Sequence, residues 1–215
     1  TLNMELLSTI LGQLISVGAI ALIIVFQPEL RRFLQVIGMR QKHFNFITRI
    51  FSTGDDTVQT NVVPIVTACR EMSETKTGAL IVIGQQSDLR LIAEGGIALD
   101  AKVSTSLLKN IFFKNAPLHD GAVLIEGDRI VAAKCILPVT QSDVPKSYGT
   151  RHRAAIGMSE ISDAIIIVVS EETGGISIAQ GGELRRNIDP VRLQQTLQRY
   201  LTINTRKRSK KEVAE

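Results

Sequence analysis

Three short segments of this 215-residue chain gather ionisable side chains and glycines beside apolar runs. They are Asn115-Ala-Pro-Leu-His119-Asp120-Gly121-Ala122, Gly149-Thr150-Arg151-His152-Arg153 and Ser170-Glu171-Glu172-Thr173-Gly174-Gly175. In the first, a carboxylate at Asp120, beside the His119 imidazole, can hold a divalent metal or take a proton from a hydroxyl. Gly121 lets a ligand or another backbone come close, and a simple turn aspartate is the plain alternative. In the second, two guanidinium groups and an imidazole follow a Gly-Thr entry to a helix. Backbone N–H groups, the helix dipole and the arginine forks can then converge on phosphate, where a solvated basic turn is the alternative. The third ends a buried strand with two adjacent acids, of which alternation lets only one face the same way as Ser170.

Together these segments supply an acid for metal or hydroxyl activation, an anion clamp and further acids near glycines. That is the equipment of phosphoryl or nucleotidyl transfer, where catalysis is mostly positioning and charge neutralisation. No covalent nucleophile is evident. Neither GxxxxGK[ST] nor GxGxxG occurs, and HExxH and GxSxG are absent as well.

The elements that must position these residues follow from the apolar pattern. Asp55-Asp56-Thr57 is a capping cluster, and Val58, Val62, Ile65, Val66, Cys69 and Met72 follow at helical spacing. Residues 78–84 (GALIVIG) and 164–170 (AIIIVVS) are continuous apolar runs with no alternation, expected as strands buried on both faces. Residues 89–93 are expected as a strand, 104–113 as a short helix, and 122–126 and 129–137 as a hairpin closed by Gly127-Asp128. A strand at 176–180 and a helix capped by Asp189-Pro190 complete the pattern. The fold class is α/β, a single domain with a central mixed β-sheet flanked by helices.

An N-terminal transmembrane helix precedes that domain. From Leu6 to Pro28 no side chain is ionisable, a length that spans a bilayer core, and the mean hydropathy of +0.15 fits such a segment. Arg31, Arg32, Arg40, Lys42 and Arg49 follow it, so the positive-inside bias puts the rest of the chain in the cytoplasm. The lack of an initial Met suggests a truncated start with further spans upstream. Residues 29–54 are expected as a basic juxtamembrane linker helix, 55–202 as the catalytic domain and 203–215 as a charged disordered tail. Although the pI is about 9.2, residues 51–202 hold 15 Lys or Arg against 17 Asp or Glu. The positive charge lies on the flanks, which argues against nucleic acid as a partner. Cys69 and Cys135 are far apart with no motif around them, so they are expected to be reduced thiols.

The pair Asp120-Gly121-Ala122 and Arg151-His152-Arg153 resembles the DGA and RHR motifs of the diadenylate cyclases. The surrounding NAPLHDGAVLI, GTRHRAAIGMSE and SEETGG segments look like the same family. The transmembrane segment running into QPELRR resembles its membrane-anchored CdaA-type branch. The resemblance implies condensation of two ATP molecules into cyclic di-AMP with release of two pyrophosphates, assisted by Mg²⁺ or Mn²⁺, at a face-to-face dimer. It implies that Asp120 activates the ribose 3′-hydroxyl and holds metal, with Gly121 and Ala122 close to the ribose. Thr150, Arg151, His152 and Arg153 would bind phosphate, and His119 and Glu172 would join the metal site. Ser170 and Glu171 would lie along the nucleotide, and the backbone of Leu137 would meet adenine. Ile136 stands where some relatives carry an aromatic residue that covers the base. The resemblance also implies a homodimer or higher homo-oligomer, a membrane-bound regulator and a phosphoglucosamine mutase as partners.

Two rivals come from other classes. A non-catalytic membrane-tethered sensor of ATP or a cyclic dinucleotide would not need Asp120, and a scaffold whose basic flanks hold anionic lipid leaves the three polar segments without a role.

Overall fold

The computed structural model describes residues 61–212 continuously, with side chains for 61–201, and isolated positions at 13, 18, 22, 26, 27 and 30. The chain divides into two units, 1–38 and 39–215. In the first, the described positions are helical except Phe26, a turn residue, and Phe26 and Leu30 donate backbone hydrogen bonds to Leu22 and Phe26. Among the described residues no helix is long and apolar enough to cross a membrane. The expected span, the juxtamembrane stretch and the Asp55-Asp56-Thr57 cap lie outside those residues, save the isolated positions.

The second unit is built on one seven-stranded sheet in the order β2-β4-β3-β1-β5-β6-β7. Its strands are β1 (Ala79–Ile83), β2 (Ile97–Lys102), β3 (Ala122–Glu126), β4 (Arg129–Cys135), β5 (Ile165–Val169), β6 (Ile176–Gln180) and β7 (Glu183–Arg185). Only β1 and β3 run parallel; every other neighbouring pair is antiparallel, so the sheet is mixed as expected. The helices are α1 (Val62–Glu74), α2 (Arg90–Glu94), α3 (Thr105–Phe112), α4 (Thr150–Ile161) and α5 (Pro190–Glu212).

β1 and β5, ALIVI and IIIVV, lie side by side and every residue in both is buried. Ala79, Ile81 and Ile83 with Ile165, Ile167 and Val169 join the α1, α3 and α5 side chains in one core. Their alternates, Leu80, Val82, Ile166 and Val168, are equally buried and belong to the opposite face, where α4 packs on β1, β5 and β6. A strand covered on both sides must be apolar at every position. At about 25 cal/mol per Å² of apolar surface, these layers are the main stabilising term.

Four local expectations change. Asn61 caps α1 by accepting from the Val63 N–H, so the helix begins there. Residues 90–94 form α2 instead of a strand, because the Asp88 carboxylate accepts the Arg90 backbone N–H and starts a turn. The strand follows at β2, an edge strand whose mostly exposed IALDAK gives little apolar signal. The residues from 203, expected to be disordered, continue α5 as far as Glu212. They contain neither Gly nor Pro and are rich in Arg and Lys, which propagate a helix readily.

Candidate active site

Strand register gathers the three polar segments along one edge of the sheet. Ala79 pairs with Val169, Ile81 with Val123 and Ala122 with Cys135. The start of β1, the start of β3, the end of β4 and the end of β5 are therefore level. Gly78, Asp120-Gly121, Ile136-Leu137 and Ser170 extend from those four ends, and α4 is packed against β1 and β5.

Gly121 has φ of +134°, and a Cβ there would come within 2.8 Å of the Lys134 carbonyl carbon. Lys134 itself has φ of +57°, and the β3–β4 register shifts between Ala122 and Leu124. The close approach foreseen at Gly121 is thus met by the β4 backbone at a bulge, and only glycine fits both the conformation and the space. This tight junction fixes Asp120, which is exposed. Among the described residues the Asp120 carboxylate has no hydrogen-bond or ion-pair partner. Beside it, His119 Nδ1 lies 2.6 Å from the Ala116 carbonyl. A carbonyl only accepts, so Nδ1 donates, and in the neutral ring Nε2 carries the lone pair.

The N-terminus of α4 begins with Gly149 as its cap, without a side-chain hydrogen bond. Arg153 N–H donates to Gly149 O, so the N–H groups of Thr150, Arg151 and His152 are left for another acceptor. Thr150 is exposed, Arg151 and Arg153 are half-buried and His152 is buried. Arg151 Nη1 donates to Glu171 Oε2 at 2.7 Å, joining the second and third segments. Arg153 Nε donates to the Tyr148 carbonyl at 3.3 Å, and the Tyr148 and His152 rings lie 5.8 Å apart. Burial, then the positive charge of Arg186, hold the His152 imidazole below its ordinary range, against a pull in the other direction from Glu172.

At the end of β5 the chain turns tightly. Ser170 Oγ accepts the Thr173 N–H, Gly174 N–H donates to Ser170 O, and Ser73 Oγ donates to Gly174 O at 2.5 Å. Glu171 and Glu172 are exposed on that turn. Ala122 and Leu137 are buried, with Leu137 two residues beyond β4 and Ile136 before it strongly exposed. Among the described residues no three His, Cys, Asp or Glu side chains stand close enough to share an ion. His119, Asp120 and Glu172 therefore make no closed metal cage within one chain. Sequence reasoning missed three residues here. Gly78 lies against the Arg151–Glu171 pair, and Tyr148 and Arg186 stand beside His152.

Comparison with known proteins gives the family of the chain. Residues 66–184 match the DAC family, described as DisA bacterial checkpoint controller nucleotide-binding, and residues 1–30 match the CdaA N-terminal transmembrane domain. The chain is 41% identical over 206 residues to the cyclic di-AMP synthase CdaA of Bacillus subtilis, covering 95% of this chain and 74% of that protein. It is 42% identical over 207 residues to a diadenylate cyclase of Listeria monocytogenes, covering 96% and 74%. A crystal structure of a double mutant of DacA from Staphylococcus aureus superposes with a TM-score of 0.63 at 44% identity, covering 64% of this chain and 93% of that one. With half the chain inside the family match and such identity over nearly all of it, the chain belongs to the diadenylate cyclase family, in the CdaA branch that carries an N-terminal transmembrane domain.

Proposed function

We propose that this chain is a membrane-anchored nucleotidyltransferase that condenses two ATP molecules into cyclic di-AMP and releases two pyrophosphates. The observation that carries the reading is the convergence, on one sheet edge, of an unpartnered carboxylate at Asp120 with a helix N-terminus bearing Arg151, His152 and Arg153.

In each half-reaction the 3′-oxygen of one ribose attacks the α-phosphorus of the other ATP, and the bond from that phosphorus to the bridging oxygen of the β-phosphate breaks. Asp120 accepts the hydroxyl proton and passes it to solvent. The free N–H groups at the start of α4 and the guanidinium groups of Arg151 and Arg153 neutralise the triphosphate and the departing pyrophosphate. Glu171 holds Arg151 in place through the 2.7 Å contact. Gly121 and Ala122 border the ribose, Leu137 offers its backbone to adenine, and Ser170 and Glu171 follow the nucleotide. The second attack repeats the first with the roles of the two nucleotides exchanged, and the ring closes.

The residues present fit a divalent ion of the Mg²⁺ or Mn²⁺ kind. Such an ion takes one or two carboxylates together with substrate phosphates and water, rather than an all-protein cage. An exposed Asp120 with no partner among the described residues, next to His119, matches that need, and Glu172 would supply a further carboxylate. When bound, the ion withdraws charge from the phosphate and lowers the pKa of the hydroxyl.

One set of site residues per chain holds one ATP, so two chains must face each other, and an isologous contact presents each site to its twin. Residues 1–28 anchor the chain, and the basic stretch 29–54 places the catalytic unit, 55–202, on the cytoplasmic side. The test is incubation of the purified chain with ATP and Mg²⁺ or Mn²⁺, followed by chromatography. A cyclic dinucleotide and pyrophosphate in a ratio of one to two is expected. Bound ATP without turnover would support a sensor instead.

A further inference from the structure

We infer that Tyr148 and Arg186 form a positioning pair that fixes the phosphate-binding turn, an assignment that rests on reading Arg151–Arg153 as that turn. Tyr148 stands immediately before the Gly149 cap of α4 and touches the basic cluster in two ways, while a third contact fixes its own place. Its carbonyl accepts from Arg153 Nε at 3.3 Å. Its ring meets the His152 ring at 5.8 Å with an interplanar angle of 37°. Its backbone N–H donates to Pro145 O at 2.9 Å, which closes the turn and sets where the carbonyl and ring can lie.

Arg186 comes from a different part of the chain, just past β7. Its guanidinium carbon sits 5.1 Å from the centre of the Tyr148 ring, within cation–π range. Among the described residues it has no carboxylate partner, whereas Arg185 beside it faces Glu183. An exposed arginine that spends its charge on an aromatic face, next to a helix N-terminus and two further guanidiniums, raises the positive potential where an anion is bound. Its field also reaches His152 and disfavours protonation there, as burial does. Three like-charged neighbours repel unless something holds them; the Tyr148 carbonyl holds Arg153, Glu171 holds Arg151, and the ring holds Arg186.

The experiment uses the full chain and two probes, ATP in turnover and inorganic triphosphate in direct binding. Tyr148→Ala keeps the carbonyl but removes the ring that meets His152 and Arg186, and is expected to raise both KM for ATP and Kd for triphosphate several-fold, the scale of a lost cation–π contact. Tyr148→Phe, which keeps the ring, is expected to recover most of that loss. Arg186→Met, at an exposed position that does not threaten folding, is expected to weaken both by several-fold, with partial recovery in Arg186→Lys. Adenosine binding should be unchanged throughout. A purely structural role would lower the folded fraction and kcat while KM and the triphosphate Kd stayed put, and that result would overturn the pair. Equal losses for adenosine and triphosphate would overturn it too. If the wild type binds triphosphate in this Tyr148-dependent way yet forms no cyclic dinucleotide, the pair stands and the cyclase reading falls.

Discussion

The guanidinium of Arg151 and the carboxylate of Glu171 are paired at 2.7 Å, directly against the bare backbone of Gly78. A Cβ at Gly78 would stand 2.9 Å from Arg151 Nη1 and 3.0 Å from Glu171 Oε2. These are the far ends of flexible side chains, so an alanine can be accommodated, but only by moving the pair. Gly78→Ala should therefore keep the melting temperature within a few degrees, while kcat/KM falls by roughly tenfold, as expected when a bidentate phosphate contact is misaligned. Glu171→Gln should give a smaller loss than Arg151→Ala, which removes the charge itself. Thermal melts beside steady-state kinetics check both, and an unchanged kcat/KM in Gly78→Ala would remove the pair from the mechanism.

Asp120→Asn keeps the shape of the side chain and removes the charge proposed to draw the hydroxyl proton. ATP should bind with near wild-type affinity, since the anion clamp is intact, and cyclic dinucleotide should fall by at least about a hundredfold. Calorimetry with ATP and a product assay give the two readings. Substantial product from the variant would sink the assignment of Asp120.

Assembly makes a separate prediction. For a protein shortened to begin at residue 51, the proposed two-chain productive species makes specific activity rise with concentration. Mixing Asp120→Asn with Arg151→Ala should not restore full activity, since both attacks are needed to close the ring and each mixed pair carries two damaged halves. A rate linear in enzyme concentration, down to where sizing shows only monomer, would exclude a facing pair.

His152 links pH to stability. Its folded pKa lies below the ordinary 6.5, through burial first and Arg186 second, so the unfolded chain takes up a proton at a higher pH than the folded one. The native state is then favoured fully above about pH 6.5 and loses that advantage as pH falls below it. The lowered carboxyl groups of Glu71 and Asp100 act further down, below their ordinary 4.5 and 3.8. Melting temperature should drop between about pH 7.5 and 5.5, and His152→Gln should flatten that drop. An identical pH dependence in the variant would show that His152 is not its source.

The sequence was legible where a signal was local and strong. Unbroken Ile and Val runs marked β1 and β5 because double burial leaves no polar position. Asp189 was readable as a cap, and it accepts the Arg192 N–H at 2.9 Å. The DGA and RHR segments stood out by their residue types, and the family they resemble is the one to which the chain belongs. What stayed hidden depends on partners distant in the chain. LRLIA looks like a strand until Asp88 turns it into a helix. Gly78 is one of 16 glycines until Arg151 and Glu171 arrive from about 70 and 90 residues away. Arg186 is an unremarkable cation until Tyr148 lies under it.

The place of β1 in the middle of the sheet has a consequence for the chain while it is being made. Among the described residues β1 is the first strand to emerge, yet both of its neighbours come later, β3 from residue 122 and β5 ending at residue 169. At a synthesis rate of about 5–20 residues per second, the 86 residues between Ile83 and Val169 take roughly 4–17 s to appear. Until β3 is complete at residue 126 ALIVI has two open edges, and one stays open until β5 arrives, with no charge to guard either, the composition that seeds strand-to-strand aggregation. Yield from a host should therefore respond to translation speed and to holdase chaperones on the ribosome more than to the melting temperature of the finished domain.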